Sequence, residues 1–230
     1  MRLVVSLFSL LLVLFTPLST IDAAQNSAFK NVKIATPKIK YQVQGEAKLK
    51  KGQYNYLVRA DHKILVKGSD YASKSAPNWG KLNKVISLTK QQVKGKKKIT
   101  LELYQKKAGK IINKLVVPLD RNYGKTYQNS VFRKVKVNQP KVEYVVTGKA
   151  RVFEAVFGYE VEDGHNILAK GFAQASHGAP EWGNFKIVIT IPKKDLPVNG
   201  AVMLILYEED MSGEGNRIHE YVTRMDQFPW

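Results

Sequence analysis

The sequence predicts an all-β protein, two similar β-sandwiches in tandem behind an N-terminal export signal. Three observations carry that prediction. One unit is written twice, its apolar residues recur with period two, and a short apolar run opens the chain. Of 230 residues, 44% are hydrophobic and 24% charged. Those fractions are ordinary for a globular protein and exclude a mainly disordered, collagen-like or polytopic membrane chain. Cysteine is absent, which excludes disulfides, thiolate metal sites, iron–sulfur clusters and a cysteine nucleophile.

Met1-Arg2 is a short basic start, and Leu3 to Phe15 is apolar apart from Ser6 and Ser9. Pro17 breaks the run, and Ser19, Thr20, Ala23 and Ala24 are small. This is the pattern of a secretory signal peptide, and the run is shorter than the roughly 20 residues of a spanning helix. Cleavage after Ala24 leaves Asp22 three positions back, cleavage after Ala23 leaves Ile21, and the alternative to both is a retained anchor. Residues 1–24 are read as signal peptide and the remainder as secreted or associated with the cell envelope.

Gln25-Asn26-Ser27-Ala28-Phe29 recurs as Gln128-Asn129-Ser130-Val131-Phe132, an offset of 103 that holds without a gap to Tyr104 and Tyr207. Over residues 25–104 and 128–207 there are 31 identities in 80 positions. The copies are 25–127 and 128–230, too long for solenoid repeats, and a joint is expected near residues 120–131. Past Tyr104 the copies drift, and Asp120 aligns with Asp226 if the second carries three extra residues around Ser212-Gly213.

Within each copy the pattern is β. Tyr41, Val43, Gly45, Ala47 and Leu49 alternate with polar residues, and Tyr144, Val146, Gly148, Ala150 and Val152 repeat the alternation. Period two marks a half-buried strand. Ile99, Leu101 and Leu103 do the same, and Asp163-Gly164 reads as a tight hairpin turn. No stretch carries a capped apolar stripe of helical period. Short strands separated by turn signals, about seven per copy, predict a sandwich of immunoglobulin type.

The copies share Ala72-Ser73-Lys74-Ser75-Ala76-Pro77-Asn78-Trp79-Gly80 and Ala175-Ser176-His177-Gly178-Ala179-Pro180-Glu181-Trp182-Gly183. Pro and Gly mark a loop. Its Trp either plugs one end of the sandwich, mostly buried, or stands exposed to stack on a sugar or peptide; the buried reading is the expectation. Around this motif, residues 144–226 resemble the immunoglobulin-like domain associated with bacterial spore-germination proteins. The matching residues are Gly148, Ala150, Phe153, Glu154, Asp163-Gly164, Gly171, Ala175, Ser176, Gly178, Ala179, Pro180, Trp182, Gly183 and Phe185. The first copy is a degenerate relative: Lys50-Lys51 replace Phe153-Glu154, Ser75 replaces Gly178 and Leu82 replaces Phe185. The resemblance implies an extracytoplasmic, non-enzymatic sandwich of Gram-positive spore-formers.

Charge separates the copies. Residues 25–127 hold 24 Lys+Arg against 5 Asp+Glu, net +19, whereas residues 128–230 hold 12 against 13, net −1. The basic residues cluster as Lys48, Lys50 and Lys51; as Lys94, Lys96, Lys97 and Lys98; and as Lys106, Lys107 and Lys110. These are the candidate polyanion-binding residues, set against a merely solubilising surface. An imbalance of this size favours polyanions, and lysine suits point-charge attraction to phosphates more than bidentate recognition. Outside a Gram-positive cell the polyanions are anionic wall polymers such as teichoic acids, membrane headgroups and released DNA; nucleic acid is the least expected of these partners.

No catalytic residue, metal ligand or cofactor is predicted. Ser176-His177 lacks a marked third triad member. His62 and His165 share a repeat position beside a turn, and Glu208, Glu209, Asp210 and Glu214 form an acidic turn without the ordered spacing of a calcium loop. The function expected is a secreted, envelope-associated, non-enzymatic binding protein whose basic first domain docks on anionic wall polymer or membrane. The alternative is a structural or protein-interaction module in spore formation or germination. Val202, Leu204 and Leu206 on one face of their strand and Met203, Ile205 and Tyr207 on the other fit a covered central strand or a partner surface.

Overall fold

A computed structural model describes residues 28–96, 98–210, 212 and 214–230; the expected export signal and Lys97 lie outside the described residues. The first repeat forms β1 (Phe29–Ile34), β2 (Lys38–Ala47), β3 (Gln53–Ala60), β4 (Lys63–Tyr71), β5 (Gly80–Thr89), the one-turn helix α1 (Lys90–Val93), β6 (Ile99–Lys107) and β7 (Lys110–Pro118). The second forms β8 (Phe132–Val137), β9 (Lys141–Ala150), β10 (Val156–Glu162), β11 (Ile167–Gln174), β12 (Gly183–Pro192), β13 (Gly200–Glu209) and β14 (Arg217–Phe228). The all-β class expected from period two is what forms. Equivalent strands keep equivalent register: Asn55 faces Tyr104 across β3 and β6, and Gly158 faces Tyr207 across β10 and β13.

Two four-stranded antiparallel sheets, β4-β3-β6-β7 and β11-β10-β13-β14, accompany a six-stranded sheet to which both repeats contribute. In that shared sheet the first strand of each repeat lies in the other repeat's half. β1 pairs with β9, from Phe29 opposite Ala150 to Ile34 opposite Val146. β8 pairs with β2, from Phe132 opposite Ala47 to Val137 opposite Val43. Between them β2 meets β9 directly, with Ile39 opposite Val142. Ile39 and Val142 are repeat equivalents, so a pseudo-two-fold axis passes between them. The result is one long antiparallel pair, 29–47 against 132–150, flanked by β5 and β12.

The hinges explain why these strands run on instead of folding back. Pro37 and Pro140 each precede the inner strand, and proline holds its predecessor extended. Two-residue hairpins favour glycine or positive φ, and neither Ala35-Thr36-Pro37 nor Asn138-Gln139-Pro140 contains a glycine or takes positive φ. The ladder continues through the hinges: Ala35 N–H donates to the Val145 carbonyl (2.9 Å) and Asn138 N–H to that of Gln42 (3.0 Å). Phe29 then packs edge-on against Phe157 at 5.2 Å, and Phe132 against Tyr54 at 6.4 Å, so each exchanged strand plants an aromatic in the opposite half.

The sequence unit and the spatial unit therefore differ by one strand. Where the sequence places a joint near 120–131, residues 132–137 return to β2, and one buried core runs through both halves. At the axis Lys40 Nζ donates to Glu143, its own repeat equivalent with opposite charge. Farther out Lys90, at the start of α1, donates to Asp226 of β14 (2.6 Å) and to the Gln227 carbonyl (2.9 Å). The β13 strand, apolar on both sides, is central, between β10 and β14.

Candidate functional site

The candidate lysines fall at two separate places. β2 runs outward from the axis, so its outer end carries Lys48 and the turn with Lys50 and Lys51. β3 and β6 are antiparallel, with Asn55 opposite Tyr104, which brings the β6–β7 hairpin with Lys106, Lys107 and Lys110 to that same end. The segment after α1, with Lys94, Lys96 and Lys98, lies at the other end of β6, toward the waist; Lys97 is outside the described residues. Nine residues of β6 at about 3.4 Å each put the two groups roughly 30 Å apart. Against a Debye length of about 8 Å at 0.15 M salt they act as separate patches.

All nine described lysines of the set are exposed, and among the described residues none of them is in an ion pair. The carboxylates of the first repeat are engaged elsewhere. Glu46 binds Arg133 and Lys134, Asp70 binds Lys84, Glu102 binds Arg59 and Lys114, and Asp120 binds Arg121. The Lys84 ammonium holds the Asp70 carboxyl below its ordinary range. Asp61 accepts the Lys98 backbone N–H (3.1 Å), so a carboxylate sits among the waist lysines. Strand exchange sharpens the asymmetry, because β1 takes Lys30 and Lys33 out of the first half while β8 brings Arg133, Lys134 and Lys136 in.

The motif residues build the scaffold. Exposed Glu154 sits at φ 50°, and its equivalent Lys51 at φ 59°. Gly45 and Gly148 face the exchanged strands where these bulge, at Lys134 (φ 52°) and Asn31 (φ 56°). A Cβ on Gly45 would lie 2.9 Å from Val135 Cα, and one on Gly148 2.7 Å from the Phe185 ring and 3.3 Å from the Lys30 carbonyl oxygen. Ala150, Ala175 and Phe185 are buried, and Phe185 packs on Phe157 at 5.0 Å. Tyr159 covers Gly171. The loop closes on itself: Ser176 Oγ accepts the Asn184 N–H (2.9 Å), and Gly178 and Gly183 abut the backbone of Ala155 and His177. Pro180, like Pro77, follows a cis peptide bond.

The tryptophans match the expected placement. Trp79 and Trp182 are equivalent and mostly buried, short of full burial, and the covering of each ring includes cations. Arg133 of β8 lies 4.1 Å from the Trp79 ring centre. Lys30 of β1 and Arg151 lie 3.7 Å and 4.9 Å from that of Trp182. Both coverings use the exchanged strand.

Comparison with known families places this second half. Residues 135–214 match the immunoglobulin-like domain of bacterial spore germination. No curated protein and no solved structure matches the chain. The matched segment contains every motif residue quoted above, from Gly148 to Phe185.

The outer end of the second half differs in kind from its basic counterpart. A cavity of about 260 Å³ opens there between Phe153, Val156, Phe172 and the carboxylates Glu154, Glu209 and Asp210. Phe153 and Phe172 are 51% and 63% exposed, unusual for phenylalanine. Glu208 beneath them accepts the Phe153 N–H (2.7 Å) and lies 2.8 Å from His219 Nδ1. The sequence marked the acidic turn and, as a motif residue, Phe153, but not Phe172. Phe172 lies on the edge strand β11, where period two alone does not say which face is covered. Asp210 accepts from Ser212 Oγ and Asn216 Nδ2, which hold its carboxyl below the ordinary range.

His62 and His165 are exposed at hairpin turns. Ser176 Oγ is 3.0 Å from His177 Nδ1, and among the described residues no carboxylate orients that imidazole. A second cavity, of about 430 Å³, lies at the waist between Tyr41, Lys96, Asp120, Lys193 and the stacked pair Phe228–Trp230. Periodicity gave no sign of it, because its lining comes from both repeats.

Proposed function

We propose that the chain is an extracytoplasmic, non-enzymatic binding protein whose basic outer end docks on an anionic wall polymer or membrane surface. The observation that carries this reading is the group Lys48, Lys50, Lys51, Lys106, Lys107 and Lys110: six exposed ammonium groups at one end, with no carboxylate partner among the described residues. Lysines on turns suit a flexible, phosphate-rich chain, which they meet as point charges. Binding releases condensed counterions, so affinity falls steeply with salt. The waist lysines contribute less, being nearer Asp61 and Asp120.

The test uses the chain from Gln25 onward on purified Gram-positive walls, before and after extraction of teichoic acid. Retention on intact walls that is lost on extraction and in high salt supports the proposal. Equal retention on extracted walls, or retention indifferent to salt, overturns it. The family match favours a second reading, a structural or protein-interaction module in spore formation or germination. A salt-resistant protein partner is the outcome that supports that reading.

A further inference from the structure

The two outer ends occupy equivalent positions of one repeat and carry opposite chemistry. At the offset of 103, Phe153, Glu154, Glu209 and Asp210 around the cavity of the second half correspond to Lys50, Lys51, Lys106 and Lys107 of the first. Equal register in the two halves, Asn55 with Tyr104 and Gly158 with Tyr207, makes this a correspondence in space as well as in sequence. One end is thus a cluster of unpaired ammonium groups beside Tyr71, itself 63% exposed. The other is an apolar cavity rimmed by carboxylates.

These ends face away from each other. β2 and β9 run outward in opposite directions from the axis between Ile39 and Val142. Ten strand residues on each side, at about 3.3 Å per residue, separate the ends by roughly 60 Å. The two surfaces of one molecule cannot meet each other. They can meet on two molecules, and a contact between unlike patches at opposite ends does not close.

We propose that the chain associates head to tail with copies of itself, the lysine end of one molecule seated on the Phe153–Phe172 cavity of the next. The ammonium groups of Lys50, Lys51, Lys106 and Lys107 meet Glu154, Glu209 and Asp210, while Tyr71 and the lysine stems cover the exposed phenylalanines. Lysine stems cover apolar surface well while their heads stay near charge. The occupant is a second copy because the complementary surface is present on this chain, at the same fold position, with the opposite sign. This inference does not rest on polyanion docking: a chain that binds wall polymer yet remains monomeric refutes the association alone.

Sedimentation velocity on the chain from Gln25 onward is the test, over a concentration series at low and high salt. The expected result is a mean mass that rises with concentration at low salt and returns to the monomer at high salt. A basic-end reversal, Lys50→Glu with Lys51→Glu, Lys106→Glu and Lys107→Glu, leaves both ends acidic. An acidic-end reversal, Glu154→Lys with Glu209→Lys, leaves both ends basic. Each alone should weaken association at least about tenfold, the scale of a few interfacial charge pairs. An equimolar mixture of the two should recover it, which a variant that merely misfolds cannot do. Phe172→Ser should weaken association without changing its salt dependence. A monomer at every concentration and salt, or association that neither reversal alters, overturns the proposal.

Discussion

The two halves share a scaffold and diverge at its rim. Repeat-equivalent strands keep equivalent registers, and both halves stack a Trp beneath a cation from the exchanged strand. The outer turns have diverged in chemistry, with lysine in one half where the other has phenylalanine and carboxylate. The lesson is that substitutions at outer turns leave the sandwich intact, because those side chains contribute little to the core. The axis behaves differently. There Lys40 and Glu143 diverged together, from equivalent positions, into partners.

The strand exchange makes the halves one body, and a disulfide breaks or sharpens that claim with an all-or-none outcome. Lys33 faces Thr147 across β1 and β9. If β1 instead folded back on β2, in the place that β8 occupies, Lys33 would face Gln44, the partner of its equivalent Lys136. In this cysteine-free chain, Lys33→Cys with Thr147→Cys should oxidise to a monomeric crosslink, whereas Lys33→Cys with Gln44→Cys should not. The reverse pattern would mean that each repeat closes on itself.

A smaller effect tests the fit of the exchanged strands. Gly45→Ala drives a Cβ against the Val135 backbone and should cost about 1–3 kcal/mol, read as a lower denaturant midpoint. An unchanged midpoint would mean that β8 does not lie on Gly45.

Burial pushes up the phenols of Tyr41 and Tyr54 in the first half and of Tyr144 in the second. Asp226, hydrogen-bonded to the Tyr144 hydroxyl at 3.0 Å, adds to that shift. The unfolded phenols titrate near pH 10. Their contribution is complete below that value and is lost as pH rises, because the unfolded chain releases protons the native state keeps. Melting temperature should fall progressively above about pH 10, and Tyr144→Phe should flatten that fall. An alkaline profile identical for wild type and variant would exclude Tyr144 as a contributor.

The smallest effect is the cation over each tryptophan. Arg133→Ala and Lys30→Ala should each cost about 0.5–1 kcal/mol. The two losses should add, since they lie in opposite halves.

Much of this architecture was legible in the sequence, and the unread parts share one cause. Alternation from Tyr41 to Leu49 announced β2, and the offset of 103 announced its twin. The charge split located the basic end. Where Phe29–Ile34 pairs was not legible, because period two fixes which face a strand buries but not which neighbour it joins. Pro37 and Pro140 were the signal, since a proline at each short connection argues against a hairpin. The cations Arg133 over Trp79 and Lys30 over Trp182 were not legible for the same reason, since they come from strands assigned to the other repeat. The waist cavity and the exposed Phe172 also depend on contacts between distant segments.

In the proposed function the outer end of the first half, and not its charge as a whole, meets the polyanion. The direct measurement compares two variants with the same change in net charge. One carries Lys50→Gln, Lys51→Gln, Lys106→Gln and Lys107→Gln at the outer end; the other carries Lys63→Gln, Lys94→Gln, Lys96→Gln and Lys98→Gln at the waist. Binding of each to a phosphate-rich polymer is followed across a salt series. The outer-end variant should lose at least about tenfold in affinity and about three units of salt slope, roughly 0.7–0.9 for each of four lost phosphate contacts, while the waist variant should stay close to wild type. Equal losses from the two variants, or a larger loss at the waist, would contradict that reading.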